Sequence, residues 1–135
     1  MLSLYLNVFM EVKTDTKEKF HVIRVQTPQL SANMAAELNG HFQELLKDNI
    51  KNVVLNLSDV KSIDEEAAEA LIRIQQKFYE DGASFVLCCL NKEMESFLDS
   101  KDLLELFNMT ITETEAGDIV QMEEIERDLL DGEDN

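Results

Sequence analysis

The sequence predicts an α/β fold: one mixed β-sheet that opens with an antiparallel hairpin, continues in parallel strands, and carries about four helices packed on it. Three observations lead there. Apolar residues alternate with period two over the first thirteen positions. Short apolar runs near 53–57 and 84–90 are separated by segments whose apolar residues recur every three or four positions. Successive β-α-β units then imply right-handed crossovers and parallel strands. The 135 residues suit one domain, assigned to 1–130, with 131–135 as an acidic flexible tail.

Each element follows from its residues. Leu2, Leu4, Leu6, Val8, Met10 and Val12 share one face of a first strand, and the alternation runs unbroken through Met10, the other candidate start of translation. Thr14 to Lys19 reads as a polar turn, and Phe20 to Gln26 as the returning strand of a hairpin. Pro28 ends it because proline has no N–H for the ladder. Ser31 is suited to cap a helix that buries Met34, Leu38, Phe42 and Leu45. Val53 to Leu57 is a short apolar strand. A helix from Asp64 to Glu80 buries Ala67, Leu71, Ile74 and Phe78, and Gly82 closes it. Ser84 to Leu90 is nearly all apolar, as in a central strand covered on both faces. Asn91 caps a helix burying Met94, Phe97 and Leu98, and Leu103 to Phe107 is a further apolar turn. Met109 to Glu113 is a short strand candidate. A last helix from Gly117 to Leu130 is expected to bury Ile119, Met122, Ile125 and Leu129.

The net charge of −16 opposes binding to nucleic acid and to anionic membrane surfaces, and favours basic or mixed-charge protein partners. From Thr112 to Asn135 there are ten acids and one base, Arg127. Cys88 and Cys89 are adjacent in an apolar run and read as buried reduced thiols, not as a disulfide scaffold or a metal pair. No stretch approaches the ~20 apolar residues of a membrane span. The apolar start lacks a basic region and a cleavage site, so the cytoplasm is the expected compartment.

The segment Asn52 to Ile74 concentrates the chemistry. A strand runs through a short turn into a helix that opens on three acids, Asp64, Glu65 and Glu66. Strand ends leading into helix N-termini are favoured places for working residues. One reading of Glu65 is a capping box with Ser62 as N-cap, worth about 1 kcal/mol to the helix. A metal among Asp59, Asp64, Glu65 and Glu66 is not expected, since neighbouring helical side chains diverge by about 100°. Ser58 and Ser62 are candidate phosphorylation sites whose ordinary duties are turns and caps. His21 and His41 lie far apart and belong to no nucleophile or metal motif. No cofactor or metal is expected.

The strand VVLNL, the turn ending Ser62-Ile63-Asp64, and the run AAEALIRIQQKFYEDGASFVL together resemble the STAS domain of anti-sigma factor antagonists. The helix Met94 to Leu98 with Leu103-Leu104-Glu105-Leu106-Phe107 looks like that family's next helix and its Leu-Phe turn, so the likeness spans roughly residues 10–130. The family reads D-S-S-G or D-S-T-G at this helix start, and a partner kinase phosphorylates its serine or threonine. The resemblance places Asp64 on the family's Asp, Glu65 on the phosphorylated position, Glu66 on the next hydroxyl and Ala67 on the glycine. It implies a non-enzymatic interaction module in signalling and transcription regulation, binding through Ser62, Asp64, Glu65, Glu66 and Ala67. The implied partner is an anti-sigma factor, a switch kinase or a signalling scaffold. With Glu65 as a fixed acid in place of the acceptor, the usual switch is lost or moved. A nucleotide- or small-ligand-binding regulatory domain is the alternative, and carboxylate-based hydrolysis would need two acids facing each other across a cleft. A homodimer through the Leu-rich first strand is also expected, because an exposed edge strand invites pairing.

Overall fold

A computed structural model of the chain describes residues 12–133, with side chains described through residue 131. The leucine-rich strand expected before Val12, and a dimer through it, lie outside the described residues.

Strand β1 (Val12–Thr16) pairs antiparallel with β2 (Phe20–Val25), Val12 opposite Val25 and Thr16 opposite His21. Thr14, Asp15 and Thr16 therefore belong to the ladder and not to the expected turn, which is closed by a 2.8 Å bond from the Lys17 N–H to the Phe20 carbonyl. β1 is an edge strand with exposed side chains, so its polar sequence resembles a loop. Next come β3 (Gln29–Leu30) and helix α1 (Ala32–Leu45). Strand β4 (Asn52–Asn56) leads through β5 (Ser62–Ile63) to α2 (Glu65–Glu80). Strand β6 (Phe85–Cys88) precedes α3 (Lys92–Ser100), a 3-10 turn at Leu104–Leu106, β7 (Met109–Thr110) and α4 (Glu113–Glu133). The main sheet has the order β1-β2-β4-β6-β7, with every pairing after the hairpin parallel. This is the mixed sheet with helices that the sequence predicts.

Period two sorts the central strands onto two faces. Val53, Leu55, Phe85 and Leu87 join the larger core with Leu38 and Phe42 of α1, Leu71 and Phe78 of α2, and Met94 and Leu98 of α3. Val22, Val54, Val86 and Cys88 form the opposite core, covered by Ala116 and Val120 of α4. Local chemistry sets most helix ends. Ser31 Oγ accepts from the Met34 N–H at 3.3 Å, and Asn91 Oδ1 accepts from the Met94 N–H at 2.7 Å. Gly82 follows α2 at φ 74, a conformation that favours glycine. Only Cys88 of the two cysteines is buried. Cys89 leaves the strand at φ 67 and is half-exposed. Burial first, then the neighbouring Cys89, pushes the Cys88 thiol up.

The last helix departs most from expectation. It starts at Glu113, four residues before Gly117, and runs through Asp131 to Glu133. A capping box explains the early start: the Thr112 Oγ1 accepts from the Glu115 N–H at 3.1 Å, and the Glu115 carboxylate accepts from the Thr112 N–H at 3.2 Å. The helix also faces the other way. Met122, Ile125 and Leu129 are exposed, Ile119 is only half-buried, and Ala116 and Val120 are buried. Close approach is the reason. A Cβ on Gly117 would lie 2.8 Å from the Phe20 ring, so small residues must face the sheet there.

Polar anchors hold α4 beyond that contact. The Tyr79 hydroxyl donates to Glu123 Oε1 at 2.7 Å and accepts from Asn108 Nδ2. Burial, and then the Glu123 carboxylate, push the Tyr79 phenol up to about 12. An unfolded tyrosine titrates near ~10, so this contribution to stability is complete below that pH and is lost as the pH rises through the folded value. Tyr79→Phe should therefore flatten the fall of stability between about pH 10 and 12 and cost about 1 kcal/mol at neutral pH. Urea unfolding from pH 8 upward tests both.

Candidate functional site

The acidic start of α2 is built by β-pairing. Ser62 and Ile63 pair in parallel with Gln29 and Leu30, and the Lys61 and Ser62 N–H groups both donate to the Pro28 carbonyl, at 2.7 and 3.1 Å. The Asp64 N–H continues this ladder to the Leu30 carbonyl at 3.1 Å. Pairing holds Ser62 in a strand, so it does not cap α2. Asp64 is the N-cap residue, in extended backbone at φ −75 and ψ 152, and its side chain makes no capping bond. It accepts instead from Gln29 Nε2 at 3.1 Å. Glu65 thus occupies the first helical position, not the third, and the expected Ser62–Glu65 capping box does not form. The chain uses that motif at Thr112–Glu115.

Glu65 and Glu66 are exposed in the first turn, where the helix dipole favours negative charge. Ala67 is fully buried in the larger core, so it supports the surface from below and takes no part in a direct contact. Beside this turn lies an open groove of about 390 Å³ between β5, the start of α2, and α3. Ile63, Met94 and Phe97 supply apolar lining, while Asp64, Glu65 and Glu93 supply three acids against one base, Lys61. Asn91 ties α3 to the turn by donating from Nδ2 to the Lys61 carbonyl at 3.1 Å. The expected site residues Ser62, Asp64 and Glu65 line one groove, and Glu66 follows on the same helical turn.

Ser58 has a different environment. Its Oγ accepts from Arg24 Nη2 at 2.8 Å and Nε at 3.2 Å, and the same guanidinium pairs with Asp59 at 3.3 Å. Neither Arg24 nor the α3 contribution stood out in the sequence. Phe97, expected to be buried with Met94 and Leu98, is instead half-exposed at the groove. His21 is buried between Thr16 Oγ1 and the Ile50 carbonyl, both at 2.9 Å, which is a structural role.

A mixed five-stranded sheet, covered on both faces and carrying a groove at one helix start, defines a class of small α/β domain. The model of the STAS domain matches residues 11–116, and the chain belongs to that family. Solved structures share the fold. An anti-sigma factor antagonist from Mycobacterium paratuberculosis is 15% identical, with 83% of this chain and 94% of that one covered at a TM-score of 0.69. A serine-to-glutamate variant of RsbS from Moorella thermoacetica is 17% identical, covering 82% and 95% at 0.68. The phosphorylated form of the Bacillus cell fate determinant SpoIIAA is 14% identical, covering 81% and 98% at 0.60. The fold is that of the anti-sigma factor antagonists. Among the described residues, no helix is long and apolar enough to cross a membrane, and no three acids, histidines or cysteines converge as a metal site.

Proposed function

We propose that this chain is a non-enzymatic interaction module of the anti-sigma factor antagonist type, acting in the cytoplasm and binding a protein partner at the groove beside α2. The observation that carries this is Glu65. It is exposed at the first position of α2, has no capping duty, and borders an apolar groove with Asp64 and Glu93. Its carboxylate supplies one negative charge where a phosphoserine would supply roughly 1.5 to 2. Glu65 thus acts as a permanent acid at the family's switch position. The partner, an anti-sigma factor, switch kinase or signalling scaffold, would bring an apolar side chain for the half-exposed Phe97 and a basic rim. The same acids repel phosphate, which disfavours a nucleotide ligand at this groove.

Regulation, where it acts, moves to Ser58. A phosphate there would meet the Arg24 guanidinium already on the hydroxyl, and Arg–phosphate pairs form strong charge-assisted bonds. A phosphate on Ser62 would instead join Asp64 and Glu65 on the groove.

Affinity purification with wild type, Glu65→Ser and Glu65→Lys tests the reading. Wild type should retain a specific partner, and Glu65→Lys should lose at least about tenfold in retention while losing no more than about 1 kcal/mol in stability. If no variant retains a partner and changes at Asp64 to Glu66 move only the melting temperature, the groove is not a docking site.

A further inference from the structure

We propose that the outer face of α4 is a second docking surface, and that it takes a basic amphipathic helix of a partner protein. Met122, Ile125 and Leu129 are 54%, 60% and 63% exposed and follow one another at spacings of three and four, the seam of a helix that packs against another helix. Leu130, 61% exposed, widens the seam. Ala116 and Val120 turn inward, so this outer stripe is not a fragment of the domain core.

Charge selects the occupant. Arg127 is the only base between Thr112 and Asn135, and it turns to the sheet, donating to Ser84 Oγ at 3.1 Å and Asn52 Oδ1 at 3.3 Å. Asp118, Glu126 and Asp128 remain exposed around the seam, and against these acids Lys19 of the hairpin turn places one base beside Ile125 and Asp128. Glu124, next to Ile125, keeps one buried carboxylate oxygen without a hydrogen-bond partner among the described residues. A second copy would bring the same acids against these, in a chain already at −16. A neutral apolar helix would desolvate the acids without pairing them. Only an apolar face flanked by Lys or Arg satisfies both the seam and its rim.

The test uses the full chain and a synthetic Leu/Lys heptad-repeat peptide, with its Leu/Glu counterpart as control, read by fluorescence anisotropy. The Lys peptide should bind with an affinity that falls as salt rises, and the Glu peptide should not bind. Ile125→Ser with Leu129→Ser should weaken the Lys peptide by about tenfold or more with an unchanged melting curve. Asp99→Asn with Glu105→Gln, which removes two charges elsewhere, should leave binding unchanged. Three results overturn the proposal. The two double variants could weaken binding equally, which marks general charge attraction. Wild type could sediment as a dimer that the seam variant dissociates, which makes a second copy the occupant. A chain lacking residues 1–9 could bind the peptide more than about tenfold tighter than the full chain, which makes the N-terminal segment the occupant.

Discussion

Phe85→Ala should destabilise the protein by about 3–5 kcal/mol, a large share of the roughly 5–15 kcal/mol that holds a small domain folded. Phe85 lies in a central strand and is fully buried. It joins Phe42 of α1 and Phe78 of α2 in a cluster with ring centroids 5.3 and 5.1 Å from its own. The three rings come from three elements, so no small local shift closes the space that one leaves. The loss combines transfer of the ring to water with an unfilled cavity, and edge-to-face contact with Phe42 adds to it. Phe85→Leu keeps much of the apolar volume and should lose less than half as much. Urea unfolding of the three proteins measures this. A loss below about 1 kcal/mol for Phe85→Ala would contradict a closed aromatic core.

Asn52→Ala should cost about 2–3 kcal/mol and loosen the C-terminal half of α4. Asn52 is nearly buried at the start of β4 and joins three elements. Its Nδ2 donates to the Lys19 carbonyl at 2.9 Å, and its Oδ1 accepts from the Ser84 N–H at 2.8 Å and from Arg127. Truncation leaves the buried Ser84 N–H without that acceptor, and the guanidinium keeps only Ser84 Oγ. The unmet groups, more than the lost bonds, set the magnitude. Asn52→Asp keeps an acceptor for both and loses only the donor to Lys19, so it should be milder. Amide exchange along α4 separates the effects, with residues near Arg127 exchanging faster in Asn52→Ala while Ala116 and Val120 stay protected.

The elements that were legible share one property: their residues do the same job locally as in the fold. The run Phe85 to Cys88 is apolar because helices cover both faces of the sheet. Ser31 and Asn91 cap the helices their positions suggest. The misreadings arose where a distant segment decides. Ser62 resembles an N-cap, but pairing with Gln29, thirty-three residues earlier in the chain, makes it a strand residue. Thr14 to Thr16 resemble a turn, but β2 holds them at a sheet edge. The apolar spacing of Met122, Ile125 and Leu129 says that a helix has an apolar stripe; it does not say what the stripe faces.

The sequence by itself determined the α/β class, the parallel order of the later strands, the caps of two helices, and the acidic opening of α2. Those features rest on period, cap chemistry and residue identity, which act over a few positions. Only the tertiary structure decided that Glu65 is free of capping, that α3 completes a groove beside it, that Arg24 covers Ser58, and that α4 turns its large apolar residues outward. Each of these depends on side chains brought together from distant parts of the chain, and close packing, above all of Gly117 against Phe20, selects which helix face meets the sheet.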